Sequence, residues 1–191
     1  MIYLTQGIIL GLYAGVLPGP FQAFMLSQSL QNGWRRSLPL ALVPLLTDLP
    51  VMLLLLTLLS QIPAGLLNLL RFGGGFYLLY LACNTLKKVK NGTFSSGTLS
   101  NPPRGSFFQS ILINYLNPNV YIFWGSVGVP IILNGMESSA IQGVSFIVGF
   151  YLTLVLVLSI LIYFFGSVGK FNPRLQQMLA LFLTLMLFAF G

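Results

Sequence analysis

The chain has 191 residues, 56 % of them hydrophobic and only 6 % charged, with a mean hydropathy of +0.89. Soluble domains carry about a quarter charged residues, so a water-coated globule is excluded and residues 1–191 read as a single all-α integral membrane domain. Nine Lys and Arg against two acids give a net charge of +7, but the cations lie between apolar runs rather than on a basic stripe, so the partner is the lipid bilayer and not nucleic acid.

Histidine is absent and Cys83 is the single cysteine, which rules out an intrachain disulfide and a Cys/His metal cluster. Cys83 reads as a small packing residue, and no metal or cofactor is expected. A spanning helix needs about 20 mostly apolar residues. Six such stretches can be drawn, at 2–31, 38–60, 66–86, 107–133, 139–165 and 175–190.

The first stretch has no basic leader, so it reads as a transmembrane helix rather than a cleaved signal. Gly7, Gly11, Gly15 and Gly19 recur every four residues, which puts them on one face where another backbone can approach. Tight packing is the plain reading; substrate contact and dimerisation through that face stay open. Pro18-Gly19-Pro20 then interrupts the helix. Proline removes a backbone donor and clashes one turn back, and in hydrocarbon such breaks persist only where protein or a cavity surrounds them. Pro20 is suited to the first position of a new half-helix, leaving the amides of Phe21, Gln22 and Ala23 open at a positive helix end. Gln22, Ser27 and Gln28 add polarity beyond the break.

Asp48 is the acid within the second stretch, near mid-membrane. A carboxylate there must face the protein interior or a water-filled cavity, which makes it a candidate for proton exchange; the alternative is a neutral structural acid. The third stretch opens on Gly73-Gly74-Gly75, suited to close packing or a bend. Polar residues 87–106, including Asn101-Pro102-Pro103, read as a flexible loop between a first repeat of about residues 1–90 and a second of 107–191.

The fourth stretch repeats the interruption at Asn117-Pro118, with a preferred N-cap residue before the proline. Asn114, Tyr115, Asn119 and Tyr121 make that break polar, and a pair of packing kinks is the plainer alternative. Glu137 reads as a solvated charge in an outer turn, and Trp34 with the tyrosines near segment ends fits interfacial aromatic belts. The sixth stretch is short.

The linkers after stretches one, three and five hold Arg35, Arg36, Lys87, Lys88, Lys90, Arg104, Lys170 and Arg174, whereas the other side has only Arg71, near the start of the third stretch. The positive-inside bias therefore places those three linkers in the cytoplasm and both termini outside. Three crossings per half would relate the halves by inversion, a recurrent transporter architecture in which breaks at matching positions mark the binding site.

The chain resembles the LysE-type amino-acid exporter family, close to its RhtB branch. The resemblance rests on Pro18-Gly19-Pro20, Gly33, Asp48, the run from Gly73 to Leu81, and the stretch from Phe107 to Phe123 with Asn117-Pro118. It differs in having Pro44 and Thr47 before Asp48, where family members usually show glycines, and in a last helix without the usual glycines. The resemblance implies a bacterial inner-membrane secondary transporter that exports amino acids or related small metabolites, driven by the proton gradient. The substrate and coupling residues would be Pro18, Gly19, Pro20, Gln22, Asp48, Asn114, Asn117 and Pro118. Two rivals are a non-transporting scaffold or channel-like assembly, and an intramembrane enzyme. The enzyme reading has few parts, with no histidine and no paired acids at catalytic spacing.

Overall fold

Backbone in hydrocarbon must satisfy its own hydrogen bonds, and every regular element described in the computed structural model is helical. The description covers residues 1–57, 104–171 and 173–190, with positions 72, 76, 77, 79, 80, 82, 83, 86 and 87 between them. The glycines 73–75 and most of the loop expected at 87–106 lie outside the described residues.

Helix α1 (Ile2–Val16) and α2 (Pro20–Asn32) meet at an angle of 63°. The chain between them is extended at Leu17 and Gly19, and Pro20 takes the first helical position, as its fixed φ favours. Gly33 follows at φ 77, a left-handed conformation that a side chain would strain, and it turns the chain into the next span. That span is composite: α3 (Trp34–Ser37), a 3-10 turn (Leu38–Leu42) and α4 (Val43–Thr57) run on as 24 residues, Trp34–Thr57. Pro50 sits inside α4 and cannot donate to the carbonyl of Leu46, one turn back.

The second broken element is α5 (Arg104–Tyr115) followed by α6 (Pro118–Phe123). α6 continues through a π-helical turn (Trp124–Gly128) into α7 (Val129–Ser138), giving a 21-residue span, Pro118–Ser138. α8 (Ala140–Phe171) and α9 (Pro173–Phe190) complete the chain. Among the described residues three helices are long and apolar enough to cross a membrane, or four when the bent α1–α2 pair counts as one. The protein is an all-α membrane protein with its first and fourth stretches broken at prolines.

α8 is the post on which the rest is assembled; α1, α2, α7 and α9 all pack on it. The α1–α8 pairing is the most extensive, and glycine explains it. A Cβ at Gly7 or Gly11 would run into the backbone carbonyls of Phe146 and Phe150, and one at Gly15 would come within 2.8 Å of Val157. Gly149 returns the contact, since a Cβ there would lie 2.8 Å from the Leu4 carbonyl oxygen. The glycine face is thus used within the chain, which removes it as a dimerisation surface. It comprises three glycines rather than four, because Gly19 lies in the break between α1 and α2, against the side chain of Gln22.

Some expected boundaries move. Arg104–Ser106 is the first turn of α5 rather than loop. α8 runs on to Phe171 and so includes Lys170, and Glu137 is exposed in the last turn of α7 rather than in a separate turn. Trp34 packs edge-on to Tyr163 with ring centroids 5.4 Å apart and carries Arg35 above its ring, so its contacts are intramolecular.

Candidate functional site

The two breaks and Asp48 border one cavity of ≈150 Å³. α1 contributes Tyr13 and Ala14, α2 contributes Phe21 and Gln22, and α4 contributes Pro44 and Asp48. Asn114, Asn117 and Asn119 enter from the second break, and Phe123, Trp124 and Phe150 form an aromatic wall. Neither Lys nor Arg is among the described residues that line it.

Asp48 is buried at 6 % exposure inside the composite span, and its partners are neutral. Asn114 Nδ2 donates to Asp48 Oδ1 at 2.8 Å and also lies 2.6 Å from Thr47 Oγ1. The Thr47 hydroxyl lies 2.9 Å from the Val43 carbonyl and 3.2 Å from Asp48 Oδ1, so one proton is shared between two acceptors. The arrangement ties α4 to the end of α5 without a counter-ion among the described residues. The carboxylate can therefore carry charge or a proton as its surroundings change.

Each break closes a carbonyl with a side chain from the following half-helix. Gln22 Nε2 donates to the Ala14 carbonyl at 2.8 Å, across the first bend. The Tyr121 hydroxyl donates to the carbonyl of Tyr115, the last residue of α5, at 3.0 Å. In hydrocarbon an unpaired carbonyl costs several kcal/mol, so these bonds are what allow the helices to stay broken.

The half-helix N-termini are less open than the prolines suggest. The Ala23 amide donates to the Gly19 carbonyl at 2.9 Å, so it is paired, contrary to expectation. At the second break Asn117 is the N-cap, its Oδ1 accepting from the Asn119 amide at 3.1 Å, while the Val120 amide reaches the Asn117 carbonyl. Of the expected residues, Gln22, Asp48, Asn114 and Asn117 meet at the cavity. Pro18, Gly19, Pro20 and Pro118 shape the backbone around it without lining it; Pro18 is exposed and Pro20 buried.

Ser106 and Ser110 share one face of α5 with Asn114, spaced by four and leading away from the cavity. Ser106 Oγ donates to Gln28 Oε1 at 2.7 Å, joining α5 to α2, and Gln28 Oε1 also accepts from Asn32. Gln28 was legible as polar from the sequence and Thr47 as a departure beside Asp48, but Trp124 was not singled out. Thr47 adjoins Asp48 in sequence, and Trp124 precedes Gly128 by one turn; those spacings are the signals that were there to read.

A model of the LysE type translocator family matches residues 12–191, a stretch that contains both breaks, Asp48 and every residue that lines the cavity. This chain belongs to the LysE type translocator family. No solved structure matches it. Membership makes the protein a membrane translocator of small molecules, and the translocator's cavity has a polar centre within an apolar surround.

Proposed function

We propose that this translocator exports amino acids or related small metabolites across the bacterial inner membrane by proton-coupled alternating access. The observation that carries the reading is Asp48, a buried carboxylate held by the neutral side chains of Asn114 and Thr47, in a cavity bordered by both helix breaks. In the proposed cycle the substrate ammonium meets ionised Asp48, while its carboxylate lies toward the positive end of α2 at Phe21 and Gln22. Protonation of Asp48 from outside removes the attraction and releases the substrate, which gives antiport. The six-span, two-repeat inverted architecture is the matching geometric proposal. It is supported by Gln22 and Tyr121, which close a carbonyl at equivalent breaks. The cation distribution supports cytoplasmic linkers after stretches one, three and five, with both termini outside.

Counterflow of radiolabelled amino acids in proteoliposomes, at two internal pH values, tests the function. Uptake that follows the proton gradient in the wild-type protein and loses that dependence in Asp48→Asn is the expected result. Full gradient-driven export by Asp48→Asn sinks the coupling scheme. Substrate-independent conductance in planar bilayers would favour the channel-like alternative instead.

A further inference from the structure

Polar side chains collect where α2 meets α5. Ser27 and Gln28 of α2 and Ser110 of α5 are buried, and Gln31, Asn32 and Ser106 are half-buried nearer the helix ends. The bond that crosses this seam runs from Ser106 Oγ to Gln28 Oε1 at 2.7 Å, and Asn32 Nδ2 donates to the same oxygen at 2.9 Å. Gln31 Nε2 donates to Ser27 Oγ at 3.1 Å, and Ser110 Oγ donates to the Ser106 carbonyl at 2.8 Å. These residues do not line the cavity. Ser106 stands eight residues before Asn114 on α5, and Gln28 six after Gln22 on α2, so the crossing bond lies about 9–12 Å along the helices from the cavity. The seam is therefore interposed between the cavity and the end of the molecule at which α2 passes through Gly33 to the exposed Arg35 and Arg36.

A seam of this make-up behaves unlike the one between α1 and α8. There backbone meets backbone at Gly7 and Gly11, and water entering would break close packing with no hydrogen bond in return. Between α2 and α5, water can take up each polar group that its neighbour gives up, at small net cost. α2 is also held on α8 and α9, whereas α5 packs mainly on α4 and α2, so α5 is the member free to move. We propose that the α2–α5 seam is the gate of the cavity on this side, that Gln28 and Ser106 are its latch, and that the structure is its closed form. The proposal rests on the alternating-access reading above and gives it a moving interface: α5 parts from α2 while α1 stays fixed to α8. In the orientation proposed above this gate is cytoplasmic, so solute enters through it during export. Once it is open, Ser106, Ser110 and Asn114 form a polar edge that leads to Asp48.

The plain alternative is a permanent joint between two helices, and thiol labelling separates the two. Ser110→Cys, in a Cys83→Ser background that removes the native thiol, places a probe in the buried part of the seam. The full chain in proteoliposomes is treated on both sides of the membrane with a sulfonated, impermeant methanethiosulfonate, and the initial rate of modification is read. Loss of one membrane hydrogen bond shifts the closed population modestly, so Gln28→Ala and Ser106→Ala should each raise that rate about three- to tenfold. Ile132→Cys, completely buried where α7 packs on α8, is the control and should stay unreactive in both. An unchanged rate at Ser110→Cys in either variant overturns the proposal. A parallel rise at Ile132→Cys overturns it too, because it reports general loosening. A second arm locks the seam: the oxidised Gln28→Cys/Ser106→Cys protein should lose counterflow about tenfold or more and regain it with reductant. Transport through a verified cross-link overturns the gate. Labelling needs no solute, so absence of amino-acid counterflow in wild type would remove the amino-acid reading while the thiol rates still decide the gate.

Discussion

Asn114 Nδ2 donates to Asp48 Oδ1 at 2.8 Å, joining residues 66 apart in sequence at the centre of the fold. The same amide nitrogen is 2.6 Å from Thr47 Oγ1, so one side chain from the second broken element holds two adjacent polar groups of α4. Asn114→Leu should leave the buried carboxylate without its amide donor. Hydrogen bonds between membrane helices are worth about 0.6–1.7 kcal/mol, so the protein should fold with a modestly lowered melting temperature while transport falls about tenfold or more. Equal transport by Asn114→Leu and wild type, at matched protein levels in proteoliposomes, would remove Asn114 from the site.

Gln22 holds the first bend through the Ala14 carbonyl. Gln22→Leu removes that donor from a part-buried position and should cost about 1–3 kcal/mol. Gln22→Glu exchanges the amide donor for a carboxyl group, so it should recover less than a second amide-bearing side chain, Asn, placed there. Thermal unfolding in detergent, compared across the three variants, checks the order. A Leu variant as stable as wild type would show that the carbonyl has another partner.

The glycine face predicts a purely structural loss. Gly11→Ala places a methyl group against the Phe150 carbonyl, a backbone atom that cannot move aside as a side-chain tip can. Overpacking of this kind typically costs about 1–3 kcal/mol. Gly33→Ala should also destabilise, although nothing crowds that position, because φ 77 is unfavourable with a Cβ. The measurable quantity is the temperature at which half the protein survives heating in detergent. Gly105→Ala, on an open helical position, is the control and should match or exceed wild type.

Asn117 caps α6 through the Asn119 amide. Asn117→Ala should cost about 1 kcal/mol, and Asn117→Asp should retain the cap geometry because aspartate is an equally good N-cap acceptor. Asn117 also lines the cavity, so the added charge of Asp should slow transport while preserving stability. Proteoliposome transport and thermal stability, measured on the same two variants, should therefore rank them in opposite orders of damage. Parallel losses would confine Asn117 to capping.

Pro18→Ala and Pro20→Ala should impair transport more than expression. Alanine lets the helix propagate through the bend, which would carry Phe21 and Gln22 away from the cavity they now line. Expression is read by detergent-extracted fluorescence of a tagged protein and transport by counterflow. A variant that transports normally would reduce that proline to a packing kink.

Class, helical content and the location of both breaks were legible in the sequence because each depends on local chemistry. A proline lacks its N–H wherever it is placed, and Asn117 before Pro118 is an N-cap on nearest-neighbour grounds. Asp48 was legible as a singular group because any carboxylate amid apolar residues must be accommodated. The open state of the Ala23 amide was read wrongly, since a single carbonyl at Gly19 satisfies it, a matter of backbone torsions rather than residue type. Trp124 passed unremarked because a tryptophan in an apolar run is ordinarily core, and only its place at the cavity with Asp48 sets it apart.

By itself, then, the sequence determined that this is an all-α membrane protein with two proline breaks and one intramembrane acid, all consequences of what hydrocarbon permits a backbone or a charge to do. Only the tertiary structure decided that the glycine face is spent on α8, that Asn114 holds Asp48, and that Trp124 is brought to the same cavity. The reason is physical: these are relations between residues far apart in the chain, set by how helices bend and cross, and no local pattern encodes the distance across a cavity.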